Sequence, residues 1–247
     1  MLNLLLSTAF AVAGFFLGTS FGGGWSVGII PALLFFIASW IVLARRVSKK
    51  MELIMTLAGK EFEAGRVDNG KRLIDTARPL GRWQFFLESQ IDAQLGAIEY
   101  MQRNFKAARP LLQKGFKRTW QPQGMLAAID LRDGNKDKAL ERVLGSKKHG
   151  KKDPVMWGLI CYIAIQSNKK DQALDYINEA LTVKQLASSA PLLQLRSSIQ
   201  NGKAKKFKWA KAFGQPWLQY FPEHASNKMM MAQAQSGARK TYPMPRR

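Results

Sequence analysis

Few residues in this chain have the types and spacing that catalysis needs. There is one cysteine, Cys161, and there are two histidines, His149 and His224, far apart along the sequence. A lone thiol cannot close an internal disulfide, and isolated Cys and His do not make the paired spacing of a metal site. Gly22-Gly23-Gly24 lies between two apolar runs, which is the wrong setting for a phosphate-cradling loop. No nucleophile elbow or dinucleotide fingerprint occurs, and acids are sparse. The expectation is a non-enzyme with no catalytic residues, no cofactor and no metal.

The chemistry that remains is binding. Lys205-Lys206-Phe207-Lys208-Trp209-Ala210-Lys211 interleaves aromatics with lysines, and with Arg196 and Lys203 it leaves residues 187–222 at +6 with no acid. Such a stretch can neutralise phosphates while rings stack on bases. It can lie on an anionic membrane with Phe207 and Trp209 dipping in. It can also be a capping helix with its rings inward and Lys203, Lys205, Lys206, Lys208 and Lys211 in solvent. An acidic protein or anionic lipid ranks ahead of nucleic acid as a partner. A second run, Lys147 to Lys152, reads as an exposed loop.

These groups sit on a chain of two characters. Residues 1–44 hold no charged side chain, so the whole net charge of +21 falls on the rest. Met1–Leu17 and Trp25–Ala44 are apolar, and roughly 20 helical residues cross a hydrocarbon core of about 30 Å. With a Gly-rich turn between them they read as a transmembrane helical hairpin over residues 1–46. A single span with a peripheral first helix is the alternative. A secretory leader needs a basic start, and no Lys or Arg precedes Arg45. Arg45, Arg46, Lys49 and Lys50 come directly after the second run. Basic flanks stay cytoplasmic and attract anionic headgroups, which puts residues 47–247 in the cytoplasm. Gly14, Gly18 and Gly22 repeat every four residues, a flat face for close helix packing. It serves the second helix or a second chain, as in an oligomer through the first helix.

From residue 51 the chain turns to short helices with polar breaks. Four sets of small residues align: Ala58, Gly70, Ala77; Gly96, Ala108, Gly115; Ala127, Ala139, Ser146; and Cys161, Ala173, Ala180. Within each set the spacing is twelve then seven, and between sets it is 38, 31 and 34. Repeats of this length are supersecondary units that stack. The pattern resembles the tetratricopeptide repeat, which places small residues where two helices cross. In the fourth unit Trp157, Ile160, Cys161, Ala173, Ile177 and Ala180 match the family's positions. The family's Tyr position holds Glu61, Glu99, Asp130 and Ala164 instead, and only the fourth unit has the Trp. The fold expectation is all-α: the membrane hairpin, then a TPR-like α-solenoid of four to five helix pairs. Repeats span 47–186, capping helices 187–222 and a mobile basic tail 223–247.

The resemblance implies that the first helix of each unit lines a concave groove for a peptide or helix. Counting from the aligned units, the groove holds Phe62, Tyr100, Leu131 and Ile165, flanked by Met101, Arg132 and Gln166, with Tyr162 close by. The same row can instead contact the next repeat. The family's carboxylate-clamp positions hold Gln90, Ala93, Ala97, Gly124 and Gly158, which do not suit chaperone tails. The plan is similar to that of bacterial membrane proteins associated with haem synthesis, in architecture alone. The functional expectation is a scaffold or assembly factor recruiting proteins, membrane proteins among them, at the cytoplasmic face of the inner membrane. The alternatives are an accessory subunit of a larger membrane complex and a basic membrane tether for nucleic acid.

Overall fold

The structure, a computed structural model, describes residues 2–20, 24–115 and 118–225. Gly22 and Met229-Met230-Met231 lie outside them. The described residues are helical, without a strand. The chain divides into two compact units, Met1–Phe116 and Lys117–Arg247.

The first unit opens with two apolar helices, α1 (Leu2–Ser20) and α2 (Gly24–Glu63). Both are long and apolar enough to cross a membrane. Only 6% of the most apolar stretch of α2 is buried. Leu5, Phe16, Ile30 and Leu34 all point outward. Gly14 and Gly18 are buried against α2. A methyl group added at Gly18 would lie 2.8 Å from the Gly28 Cα and 3.0 Å from the Val27 carbonyl oxygen. That carbonyl is the one Pro31, lacking an N–H, leaves without its helical donor. The small-residue row therefore packs the first helix on the second at both glycines.

Helix α2 runs for 40 residues, about 60 Å at 1.5 Å per residue. The boundary expected at residue 46 is thus a change of surroundings and not a joint. Nothing from Ala44 to Met51 breaks a helix: the stretch has no Gly or Pro. Arg45, Arg46, Lys49 and Lys50 are exposed along it. Its later turns join the core of the unit, where Val47 and Ala58 are buried with Ile74, Leu87, Ile91 and Leu95. The partners are α3 (Val67–Asp75), a 3-10 turn at Arg78–Arg82, α4 (Leu87–Met101) and α5 (Phe105–Lys114).

The second unit holds α6 (Trp120–Arg132), α7 (Lys136–Gly145), the single turn α8 (Lys147–Gly150), α9 (Pro154–Gln166), α10 (Lys170–Thr182) and α11 (Ala190–Gln200). After a 3-10 turn at Ala204–Lys206 come α12 (Trp209–Phe213), α13 (Gln215–Leu218) and a 3-10 turn at Pro222–His224. Helix α9 is apolar all round and ten of its residues are buried. A helix of that kind must be surrounded, and α7, α10, α11 and α12 surround it.

One turn recurs at the close of α2, α4, α6, α9 and α11. The amide of Arg66, Asn104, Asn135, Lys169 or Lys203 donates to the carbonyl five residues back, on Glu61, Glu99, Asp130, Ala164 or Ser198, at 2.8–2.9 Å. The residue before each donor has positive φ: Gly65, Arg103, Gly134, Asn168 and Gly202. This is the Schellman end of a helix, which favours Gly or Asn at that point and satisfies carbonyls the helix leaves open. All twelve small residues of the aligned sets are buried. A methyl added at Gly96 would meet the Leu112 backbone nitrogen at 2.9 Å, so α4 and α5 touch nearly backbone to backbone.

Ala173 is fully buried in α10 beside Cys161, whose Sγ lies 3.5 Å from the Ala173 carbonyl. Ala173→Leu should lower the stability of the second unit by about 1–3 kcal/mol through overpacking. Gln166→Leu, at an exposed position, should leave it nearly unchanged. Thermal melting of the detergent-solubilised chain compares the two, and equal losses would mean that the helices do not cross at Ala173.

Candidate functional site

The residues expected to line a groove have unequal fates. In the first unit Tyr100 is buried, 5.3 Å from the Phe105 ring. Phe62 is half-buried with its ring over Gly70. Met101 is exposed. In the second unit Ile165 is buried, Leu131 half-buried and Gln166 exposed. Tyr100 and Ile165 are therefore core residues and cannot receive a partner as they stand. A count of positions along a helix shows which face a residue is on, not whether something already covers it.

In the second unit that cover is the chain's own C-terminal segment. Tyr162 sits at the centre of a ring cluster, with centroids 5.0 Å from Trp209, 5.4 Å from Trp217, 4.7 Å from Phe221 and 5.5 Å from His224. Trp209 stacks on Trp217 at 4.9 Å, and Phe213 on Trp217 at 5.5 Å. Trp217, Tyr220 and Phe221 are almost wholly buried. Edge-on and offset-stacked pairs each contribute about 0.5–1.5 kcal/mol beyond burial.

The sequence does contain the room for these rings. Gly124 and Gly158, two of the positions where the clamp residues were sought, are 34 residues apart. A methyl at Gly158 would lie 2.6 Å from the tip of the Phe213 ring, and one at Gly124 would lie 3.0 Å from the Tyr220 ring. Both glycines leave space for an aromatic side chain on the face of α6 and α9 that the resemblance assigns to partners. Arg132, expected as a groove flank, fastens the same segment. Its Nη2 donates to the Tyr220 carbonyl and to Glu223, each at 2.8 Å, and its guanidinium lies over the Phe221 ring.

Two sequence expectations change here. The tail does not begin at residue 223, because Glu223 and His224 belong to this cluster; residues 226–247 lie outside the described ones. Trp209 is buried, so it is not free to dip into a bilayer or stack on a base. Phe207 is half-buried against it. Lys203, Lys205, Lys206, Lys208 and Lys211 are all exposed. Rings inward and lysines outward is the arrangement of a cap.

His224 closes the segment. The Trp217 Nε1–H donates to its Nδ1 at 2.9 Å, and its Nε2 lies 3.4 Å from the Tyr162 hydroxyl. An accepting Nδ1 requires the neutral ring with the proton on Nε2. Burial and the nearby Arg132 lower the His224 pKa, against the opposing charge of Glu223. Burial also raises those of Tyr162 and Cys161. Cys161 is therefore a buried, protonated thiol at a helix crossing. Among the described residues no group of His, Cys, Asp and Glu could hold a metal ion.

A histidine whose pKa is depressed by folding stabilises the fold fully above its ordinary value of 6.5. That share is lost as pH falls below it, because the unfolded chain then binds the proton more readily. The melting temperature should fall more between about pH 7.5 and pH 5.5 in the wild type than in His224→Gln. Tryptophan fluorescence melts at the two pH values measure this; equal falls would mean that His224 bears no proton linkage. Gly158→Leu should expel the Phe213 ring and expose residues 203–215 to limited proteolysis in the detergent-solubilised chain, whereas Gly145→Leu, at a site with open space, should not. Compared with known proteins, the chain matches no family model and no curated protein.

Proposed function

We propose that this chain is a membrane-anchored scaffold of the tetratricopeptide type that recruits protein partners at the cytoplasmic face of the inner membrane. The observation that carries this is the continuity of α2. One helix begins as an outward-facing apolar rod and ends in the first of five helix ends closed by the same turn. An anchor that shares a helix with a repeat array holds that array close to the bilayer. Arg45, Arg46, Lys49 and Lys50 supply the charge that keeps this end cytoplasmic and meets anionic lipid.

Partners of such a scaffold meet what its own chain leaves uncovered. In the first unit, past Arg46, the exposed large apolar side chains include Leu53, Leu57, Phe85, Phe86 and Met101. Phe86 has a φ of +63°, uncommon for a bulky residue. In the second unit Gln166 remains exposed. An oligomer through the first helix would use a face other than Gly14 and Gly18, which α2 already covers. A nucleic-acid tether would lack stacking rings, since Trp209 is enclosed, and that reading ranks last.

Two measurements test the scaffold. A reporter fused after Arg247 should be active only in the cytoplasm; periplasmic activity would refute the topology. A photo-crosslinking residue at Met101 should form adducts with other membrane-associated proteins in cells, while one at Lys138, exposed on α7, should not. Adducts at neither Met101 nor Gln166 would refute the recruiting role.

A further inference from the structure

Residues Lys148 to Lys152 line a cleft of about 880 Å³ in the second unit. Ligand pockets are commonly about 300–1,000 Å³. Lys148, Lys151 and Lys152 border it, as does Arg118, and the wall includes Trp120 and Val183. All four cationic side chains are exposed.

The segment carrying these lysines is held at several points. The Trp157 Nε1–H donates to the Lys151 carbonyl at 2.9 Å. The Asp153 amide donates to the Gly150 carbonyl at 2.8 Å. Gly150 is buried, and a methyl there would lie 2.6 Å from the Trp120 ring. Lys147 is drawn off to Glu179 at 2.7 Å, which separates it from the other three lysines. The carboxylate on the cleft, Asp153, is engaged through both oxygens: one accepts the Val155 amide at 2.9 Å, the other the Trp120 indole at 3.2 Å.

We propose that this cleft is a binding site for a phosphoryl group of two or more negative charges, carried by a small molecule or by a lipid headgroup. Several cations around one concavity match a compact polyanion, since each lysine is a point charge with three donors. A backbone fixed by two tryptophans lowers the ordering cost of bringing them together. Half-buried Val183 on the rim leaves room for the uncharged part of the ligand. The site touches the cap, since Trp120 stacks on Tyr220 at 5.4 Å, but its cations lie outside the Tyr162 cluster and it does not depend on the scaffold role.

The test uses the full chain in nanodiscs of uncharged phosphatidylcholine, titrated calorimetrically with inorganic pyrophosphate. The wild type should bind at one saturable site. The triple variant K148Q/K151Q/K152Q should bind at least about tenfold more weakly. The triple variant K136Q/K138Q/K170Q removes the same charge from exposed positions outside the cleft and should bind as the wild type does. Adding phosphatidate to the nanodiscs separates the two sources: a headgroup ligand weakens pyrophosphate binding by competition, and a soluble ligand leaves it unchanged. Equal weakening by the two triples, or no saturation in the wild type, would overturn the proposal and make these lysines a solvated face.

Discussion

Two helices can approach only as closely as their largest facing side chains allow, and both units are built on that limit. Where α1 meets α2 the limit is set by Gly14, Gly18 and Gly28. Where α4 meets α5 it is set by Gly96, and where α9 meets α10 by Cys161 and Ala173. A buried crossing excludes water and concentrates dispersion contacts, so a single added methylene is felt. The Schellman turn then returns the chain at a fixed angle, with its last carbonyls satisfied. Close crossing and repeated turn together specify a helix pair with little help from long side chains.

This is why so much of the helical order was legible. Small residues at twelve and seven mark a crossing wherever they occur, and all four sets are buried. The turns were legible from Asn-, Gly- and Asp-rich breaks. Even α11, ahead of the cap, keeps the turn, with Lys203 bonded back to Ser198 as Lys169 is to Ala164. The helix continues past the hairpin's expected end at residue 46 for a plain reason. A change from apolar to basic residues alters what surrounds a helix, but only the backbone can break it, and Ala44 to Met51 gives no break.

The aromatic cluster was not legible, because its pairs have no local period. Tyr162 and His224 are 62 residues apart, and neither residue type demands the other. The trace they leave is negative: two glycines at positions where a groove would carry long side chains. The acids at the family's Tyr position show a similar exchange. Glu61 is gripped by Arg66 through two hydrogen bonds, which hold its carboxyl pKa at about 2. Glu99 pairs with Lys71, and Asp130, fully buried, with Arg142. An ion pair thus stands at three of these four positions, and a buried pair of this kind constrains which side chains can meet.

Covering this face of α6 and α9 with the chain's own rings has an energetic consequence. A segment tethered beside its site acts at an effective concentration in the millimolar range, on the order of what short linkers give. A free partner for that face would meet a competitor that is always present, and its apparent affinity would fall by the fraction of time the face stands open. The cluster joins Arg132, Tyr162, Gly124 and Gly158 to the aromatic side chains of the cap, so opening it would expose several rings at once. Such a face behaves as core rather than as a binding surface. Contact with other molecules is open to side chains that stay in solvent, as Phe85, Phe86 and Met101 of the first unit do.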